Sequence, residues 1–195
     1  MRRMRIGVIV LTLATGAVAA GDAVGIAQGS AGIAQGNGGI AGNKDHKIAI
    51  IDNCLPGDPG WDATGGCTLK PQDGDVPFAE FVALLTSPLT LPPNAFLIGH
   101  PSWRNQPSYS SIDSTKSLDV KNEGGRSHSF TEVVNFGGGF VPQLNIGLTQ
   151  APECNPALVT VLPPGDRERI SGLAPGLHKF QCCIHPWMRA AVRVN

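Results

Sequence analysis

Charge is scarce in this chain of 195 residues: 15 % are Asp, Glu, Lys or Arg, and 15 basic residues offset 15 acidic ones to a formal net charge of zero. No segment gathers lysine and arginine, which excludes the electrostatic footprint of a nucleic-acid binder. Neutrality also leaves little long-range steering of a charged partner. Long hydrophobic runs are missing too. The N-terminal apolar stretch Ile6–Leu13 is well short of the roughly 20 residues that cross a bilayer. Hydrolase motifs around a serine or cysteine nucleophile are absent, so no enzyme is indicated. Asp73, Asp75 and Glu80 lack the spacing and central glycine of a twelve-residue calcium loop.

What is present starts with an export signal. Arg2, Arg3 and Arg5 precede the apolar stretch, a small-residue run follows, and Ala17-Val18-Ala19 fits a cleavage site; residues 1–20 read as a signal peptide, which places the mature protein outside the cytoplasm, secreted or periplasmic. No cysteine follows closely enough to carry a lipid anchor. Residues 21–46 repeat Gly-Ile-Ala-Gln-Gly imperfectly, and glycine and alanine on this scale cannot bury a core, so they form a flexible linker. About 150 residues remain, enough for one well-buried domain.

With 25 glycines and 16 prolines, that remainder suits a turn-rich all-β design. Short segments at Ala95–Ile98, Ser117–Lys121, Ser129–Asn135, Leu158–Leu162, Glu168–Gly172, Leu177–Cys182 and Ala190–Val194 predict strands of an antiparallel sandwich. Pro163-Pro164-Gly165 and Pro175-Gly176 predict turns that fold the C-terminal part into consecutive hairpins. Phe78–Leu85 is the one good helix, inside an irregular or short-helical N-terminal extension over residues 47–93. The sandwich itself is expected over residues 94–195.

The chemistry concentrates in Phe180-Gln181-Cys182-Cys183-Ile184-His185-Pro186-Trp187-Met188. A thiol, an imidazole and a thioether so close together suit copper better than zinc, because a thiolate and two imidazoles form a trigonal plane and a methionine adds a long axial contact. The second imidazole must come from elsewhere. His128, which follows an Asn-Glu-Gly-Gly-Arg turn and starts a predicted strand, is the leading choice; His100, beside Trp103 and Arg104, is the second; His46 and His178 read as surface or structural. Side chains alternate along a strand, so Phe180 and Cys182 should face one way and Lys179 and Gln181 the other. Cysteine parity agrees with a metal thiolate: of Cys54, Cys67, Cys154, Cys182 and Cys183, one ligand leaves four for two disulfides. None of the five histidines forms the His-x-His pairs of a multicopper centre.

These residues resemble the cupredoxins, the blue copper proteins that include plastocyanin, pseudoazurin and amicyanin. The resemblance spans roughly residues 117–195. It rests on Pro164-Gly165, on Gly176-Leu177-His178-Lys179-Phe180-Gln181-Cys182 with His185 and Met188 following, on the closing Val192-Arg193-Val194, and more loosely on Val120-Lys121-Asn122 with Arg126-Ser127-His128-Ser129-Phe130. It implies a Greek-key β-sandwich holding one type 1 copper ion on His128, Cys182, His185 and Met188. Family spacing selects Cys182 over Cys183 as the thiolate. Cys154 could then meet Cys183, which leaves Cys54 with Cys67, although neither pairing follows from the sequence. Ser129 stands where many members have an asparagine that ties the two ligand segments together.

The implied function is one-electron transfer by a monomer, with a redox partner protein docking transiently near His185, Pro186 and Trp187. The alternative is extracytoplasmic copper storage, buffering or delivery. The long stretch from Phe136 to Pro156 reads either as a flexible insertion or as a docking or site-covering loop flanked by Phe136 and Phe140.

Overall fold

The computed structural model describes residues 45–86, 97–145 and 147–195. The signal peptide, nearly all of the linker and Ala95-Phe96 of the first predicted strand lie outside these residues. Among them no helix is long and apolar enough to cross a membrane.

Among the described residues eight strands form two four-stranded sheets, as an all-β sandwich requires. In chain order they are β1 His46–Asp52, β2 Trp103–Gln106, β3 Tyr109–Ile112, β4 Leu118–Asn122, β5 Thr131–Val133, β6 Arg167–Ile170, β7 Gly176–Gln181 and β8 Arg189–Val194. The first sheet runs β2-β1-β4-β6 and the second β3-β8-β7-β5. Two pairings, β1 with β4 and β3 with β8, are parallel, so the sheets are mixed and the antiparallel expectation is corrected.

Alternation decides what each strand buries. Ile48, Ile50 and Asp52 of β1 share the inward face, as do Leu118, Val120 and Asn122 of β4. From the other sheet Phe180, Ala190, Val192 and Val194 fill the same core, with Phe180 stacked on Phe130 at a ring separation of 4.6 Å. Each large side chain removed from water here contributes about 1.5–3 kcal/mol.

Residues 47–93, expected as an irregular or helical extension, instead supply β1, which lies between β2 and β4. Its β-branched, alternating isoleucines give it a face to bury. The segment also holds helix α1 (Pro59–Asp62) and helix α2 (Phe78–Leu85), the latter with the bounds read from the sequence. Asp58 caps α1, its carboxylate accepting from the Gly60 and Trp61 N–H groups at 2.8 and 3.3 Å, as a first turn with free donors requires. Trp61 anchors this region. Its rings lie 5.0 Å from both Phe78 and Phe81 and 5.6 Å from Trp103, and its indole N–H donates to the Val76 carbonyl at 2.9 Å.

Three other predicted strands differ. Leu158–Leu162 makes only one bridge, Leu162 with His128; Leu158 and Val161 are 73 % and 44 % exposed, and without a surface to cover the segment does not form a ladder. Leu97 to Gly99 form a turn. Ser129–Asn135 shortens to β5. The hairpin expectation also fails at Pro175-Gly176, because β6 belongs to the first sheet and β7 to the second, so that turn carries the chain between layers. The final pair, β7 and β8, is antiparallel with six residues in register, and the loop joining them carries the site.

Candidate metal centre

The loop from β7 to β8 is closed by its own backbone. The Cys182 N–H donates to the Met188 carbonyl at 3.0 Å, and the Met188 N–H donates to the His185 carbonyl at 2.9 Å. His185 is thereby turned back over Cys182, and its N–H points at the Cys182 sulfur at 3.3 Å. His128 arrives from the other side. It is held in the bridge to Leu162, where the two residues exchange backbone bonds of 3.1 and 2.7 Å.

The three donor atoms converge. His128 Nδ1 lies 3.7 Å and His185 Nδ1 3.8 Å from Cys182 Sγ, and the two Nδ1 atoms are 3.1 Å apart. All three residues are buried, and the donor atoms fall within 4.8 Å of one another, a group able to hold a metal ion. Met188 is fully buried on the same loop and packs within the main core. His100 lies elsewhere, its Nδ1 accepting from the Ser102 N–H at 3.2 Å. His46 bonds Ser110 through Nε2 at 2.8 Å, and His178 lies between Glu132 and the Ala174 carbonyl at 2.6 and 2.7 Å. Both are structural, as expected.

Cys182 and Cys183, the first two residues past the end of β7, part company and join different clusters. Cys182 enters the main core as the free cysteine. Cys183 turns outward and pairs with Cys154, while Cys54 pairs with Cys67. Above Cys183 lies the segment that begins at Phe136. Gln181 Oε1 accepts from the Gly137 N–H at 2.9 Å, and the Phe140 N–H donates to the Cys183 carbonyl at 2.8 Å. A Cβ on Gly139 would stand 1.9 Å from that carbonyl oxygen, so only glycine permits the approach. The segment is a fitted cover on the outer face of the ligand strand. Ser129 ties the two ligand segments despite the missing asparagine: its N–H points at Cys182 Sγ at 3.3 Å and its hydroxyl accepts from the Cys183 N–H at 2.8 Å.

Sequence reasoning missed Asp52. Its Oδ2 lies 2.6 Å from His128 Nε2, with both side chains fully buried. Burial disfavours charge on His128, but Asp52 and Cys182 outweigh it and push its pKa up to about 9. Burial likewise opposes ionisation of Cys182, yet its hydrogen bonds to the two imidazoles hold the thiol well below its ordinary value. Burial drives His185 down. Asp52 stays below the carboxylate range because its bond to His128 overcomes its burial. The group therefore favours a thiolate, the form that binds metal. A signal for Asp52 did exist in Ile48-x-Ile50-x-Asp52, which places all three on one face of a strand.

The surroundings of His185 also differ from expectation. Pro186 and Trp187 are buried, and Trp187 packs against Phe81 at 5.9 Å, so neither forms an exposed patch. A cleft of about 760 Å³ opens beside His185 instead, with Ile184, Val141, Leu144, Trp61 and Arg126 among its walls.

A two-sheet β-sandwich carrying two imidazoles and one unpaired thiol in van der Waals range belongs to the class of proteins with a candidate metal centre. No protein-family model and no curated protein matches the chain. Among solved structures it is similar to a purple cupredoxin from Nitrosopumilus maritimus, with 15 % identity over 77 % of this chain and 100 % of that one at a TM-score of 0.41. It is also similar to amicyanin: a methionine-to-alanine variant in the Cu(I) state shares 13 % identity over 47 % of this chain and 73 % of that one at a TM-score of 0.33. A second, reduced amicyanin variant shares 15 % over 45 % and 70 % at 0.31.

Proposed function

We propose that the chain is an extracytoplasmic copper protein that carries single electrons, with one ion held by His128, Cys182 and His185 and a weak axial contact from Met188. The observation that carries this reading is the buried convergence of two Nδ1 atoms and one thiol sulfur. That donor set fits copper: two imidazoles and a thiolate suit a soft, redox-active ion, and a nearby thioether adds the axial ligand that tunes it. When bound, copper supplies one-electron chemistry between Cu(II) and Cu(I).

The remaining work belongs to the protein. Asp52 engages Nε2 of His128 and leaves Nδ1 for the metal. The N–H groups of Ser129 and His185 stabilise negative charge on the Cys182 sulfur. Two disulfides and the closed loop hold the donors in one geometry, so little rearrangement accompanies a change of charge. Burial keeps water from the ion, while the cleft beside His185 gives a small redox partner close access, as brief encounters with small interfaces require. In this reading residues 1–20 direct export, residues 21–46 tether the folded part, and the protein acts as a monomer.

The test is reversibility. Copper-loaded protein should be reduced by ascorbate and reoxidised through repeated cycles with its metal retained after gel filtration. Loss of copper in the first cycle would instead favour storage or delivery.

A further inference from the structure

The carboxylate of Asp52 is an unusual thing to bury. It sits on β1, 1 % exposed, and its separation in sequence from His128 is 76 residues. Taking such a charge out of water is costly unless something in the fold uses or satisfies it. Its contacts are few and specific. Oδ1 accepts from the Cys54 N–H at 3.3 Å, and Oδ2 accepts from the Arg126 N–H at 2.9 Å while facing His128 Nε2 at 2.6 Å.

Among the described residues no lysine or arginine side chain bonds to it. Arg126 contributes its backbone, while its guanidinium is occupied by the Gly66 and Thr64 carbonyls at 2.6 and 2.7 Å and lies over the Trp61 ring at 5.1 Å. The fold also makes room for the carboxylate, since a Cβ on Gly124 would stand 2.4 Å from Oδ2. Among the described residues the His128 ring is therefore the one side chain on which this negative charge acts through a hydrogen bond.

We infer that Asp52 is the positioning residue of the centre, fixing His128 so that Nδ1 faces the metal and setting a negative charge behind the ring that favours the oxidised ion. The inference rests on the copper reading above. Outer partners of metal-bound histidines orient the ring and raise its basicity, and a nearby negative charge opposes the arrival of an electron. It also gives β1 a role beyond packing, because the segment first read as an extension carries the tuning group.

Asp52→Asn separates charge from shape. The amide oxygen can still accept from His128 and Arg126, whereas the charge is gone. The variant should keep its visible absorption and shift toward Cu(I) by about tenfold at a fixed solution potential, equivalent to about 59 mV for one electron. Asp52→Ala removes both effects and should hold copper roughly 10–100-fold less tightly against a competing chelator.

A merely structural Asp52 would lower the thermal midpoint of these variants and leave the potential of any copper-loaded protein unmoved, which would overturn the inference. Should the variants fail to fold, NMR of the wild-type protein in its Cu(I) form decides: a His128 Nε2–H proton shifted strongly downfield by a short bond to a carboxylate supports the inference, and a bare Nε2 or an unshifted Nε2–H overturns it. Wild-type protein that takes up no copper would sink the copper reading and this inference together; normal uptake with an unmoved potential would sink the inference alone.

Discussion

Two segments meet at the candidate metal centre, and they are built in opposite ways. The loop from Cys182 to Met188 carries its donors within seven residues and closes on itself through two backbone bonds. The segment from His46 to Leu85 contributes no donor atom. It reaches the site through long-range pairing, with β1 parallel to β4, and supplies Asp52, the Cys54–Cys67 disulfide and Trp61. The contrast separates the two jobs of such a site. Donors can be local, because a tight loop orients them cheaply, but their support must come from elsewhere in the chain, because only a packed neighbour can hold a buried charge and a ring in place.

Breaking the support is therefore expected to affect stability most. Trp61→Ala removes the ring that joins α1, α2, Trp103 and the Arg126 guanidinium, and should cost about 3–5 kcal/mol in denaturant unfolding. The same variant should leave the loop's donors unaltered in kind, so any copper-loaded protein that survives should show an unshifted visible band.

The cover over the outer face of the ligand strand offers a smaller perturbation. Gly139→Ala would drive a methyl into the Cys183 carbonyl, forcing either the cover or the end of β7 to move at a cost of about 1–3 kcal/mol. Calorimetry of the copper-free protein measures it. A neutral result would mean that the cover yields freely and does not brace the loop.

The smallest effect lies outside both segments, on β7. Burial works against charge on His178, but the Ala174 carbonyl and the Glu132 carboxylate outweigh it and raise its pKa. A raised folded-state value stabilises the protonated form, so the contribution is fully present below the unfolded value near 6.5 and fades as pH rises through the folded one. With Glu132 half exposed, His178→Ala should cost at most about 1 kcal/mol more at pH 5 than at pH 9. An equal cost at both values would contradict it.

The same contrast explains what could be read from the sequence. Cys182 and His185 were legible because strand alternation and loop spacing act over a few residues, and parity then isolated one thiol. His128 was legible from the turn before it. Asp52 was not, since alternation with Ile48 and Ile50 puts it on a buried face without showing that His128, 76 residues away, lies against it. β2 and β3, Trp-Arg-Asn-Gln and Tyr-Ser-Ser-Ile, carry too little apolar pattern to announce strands, and their pairing with β1 and β8 alone makes them so. Leu158–Leu162 failed in the opposite sense, having the residues of a strand and no surface to cover.

The most direct test is the visible spectrum of the purified protein titrated with Cu(II), set beside Cys182→Ser and a Cys154→Ser, Cys183→Ser double variant. An intense thiolate-to-copper band at one equivalent, lost in the first variant and kept in the second, is the predicted result. A colourless wild-type complex, or a band that survives Cys182→Ser, would contradict it.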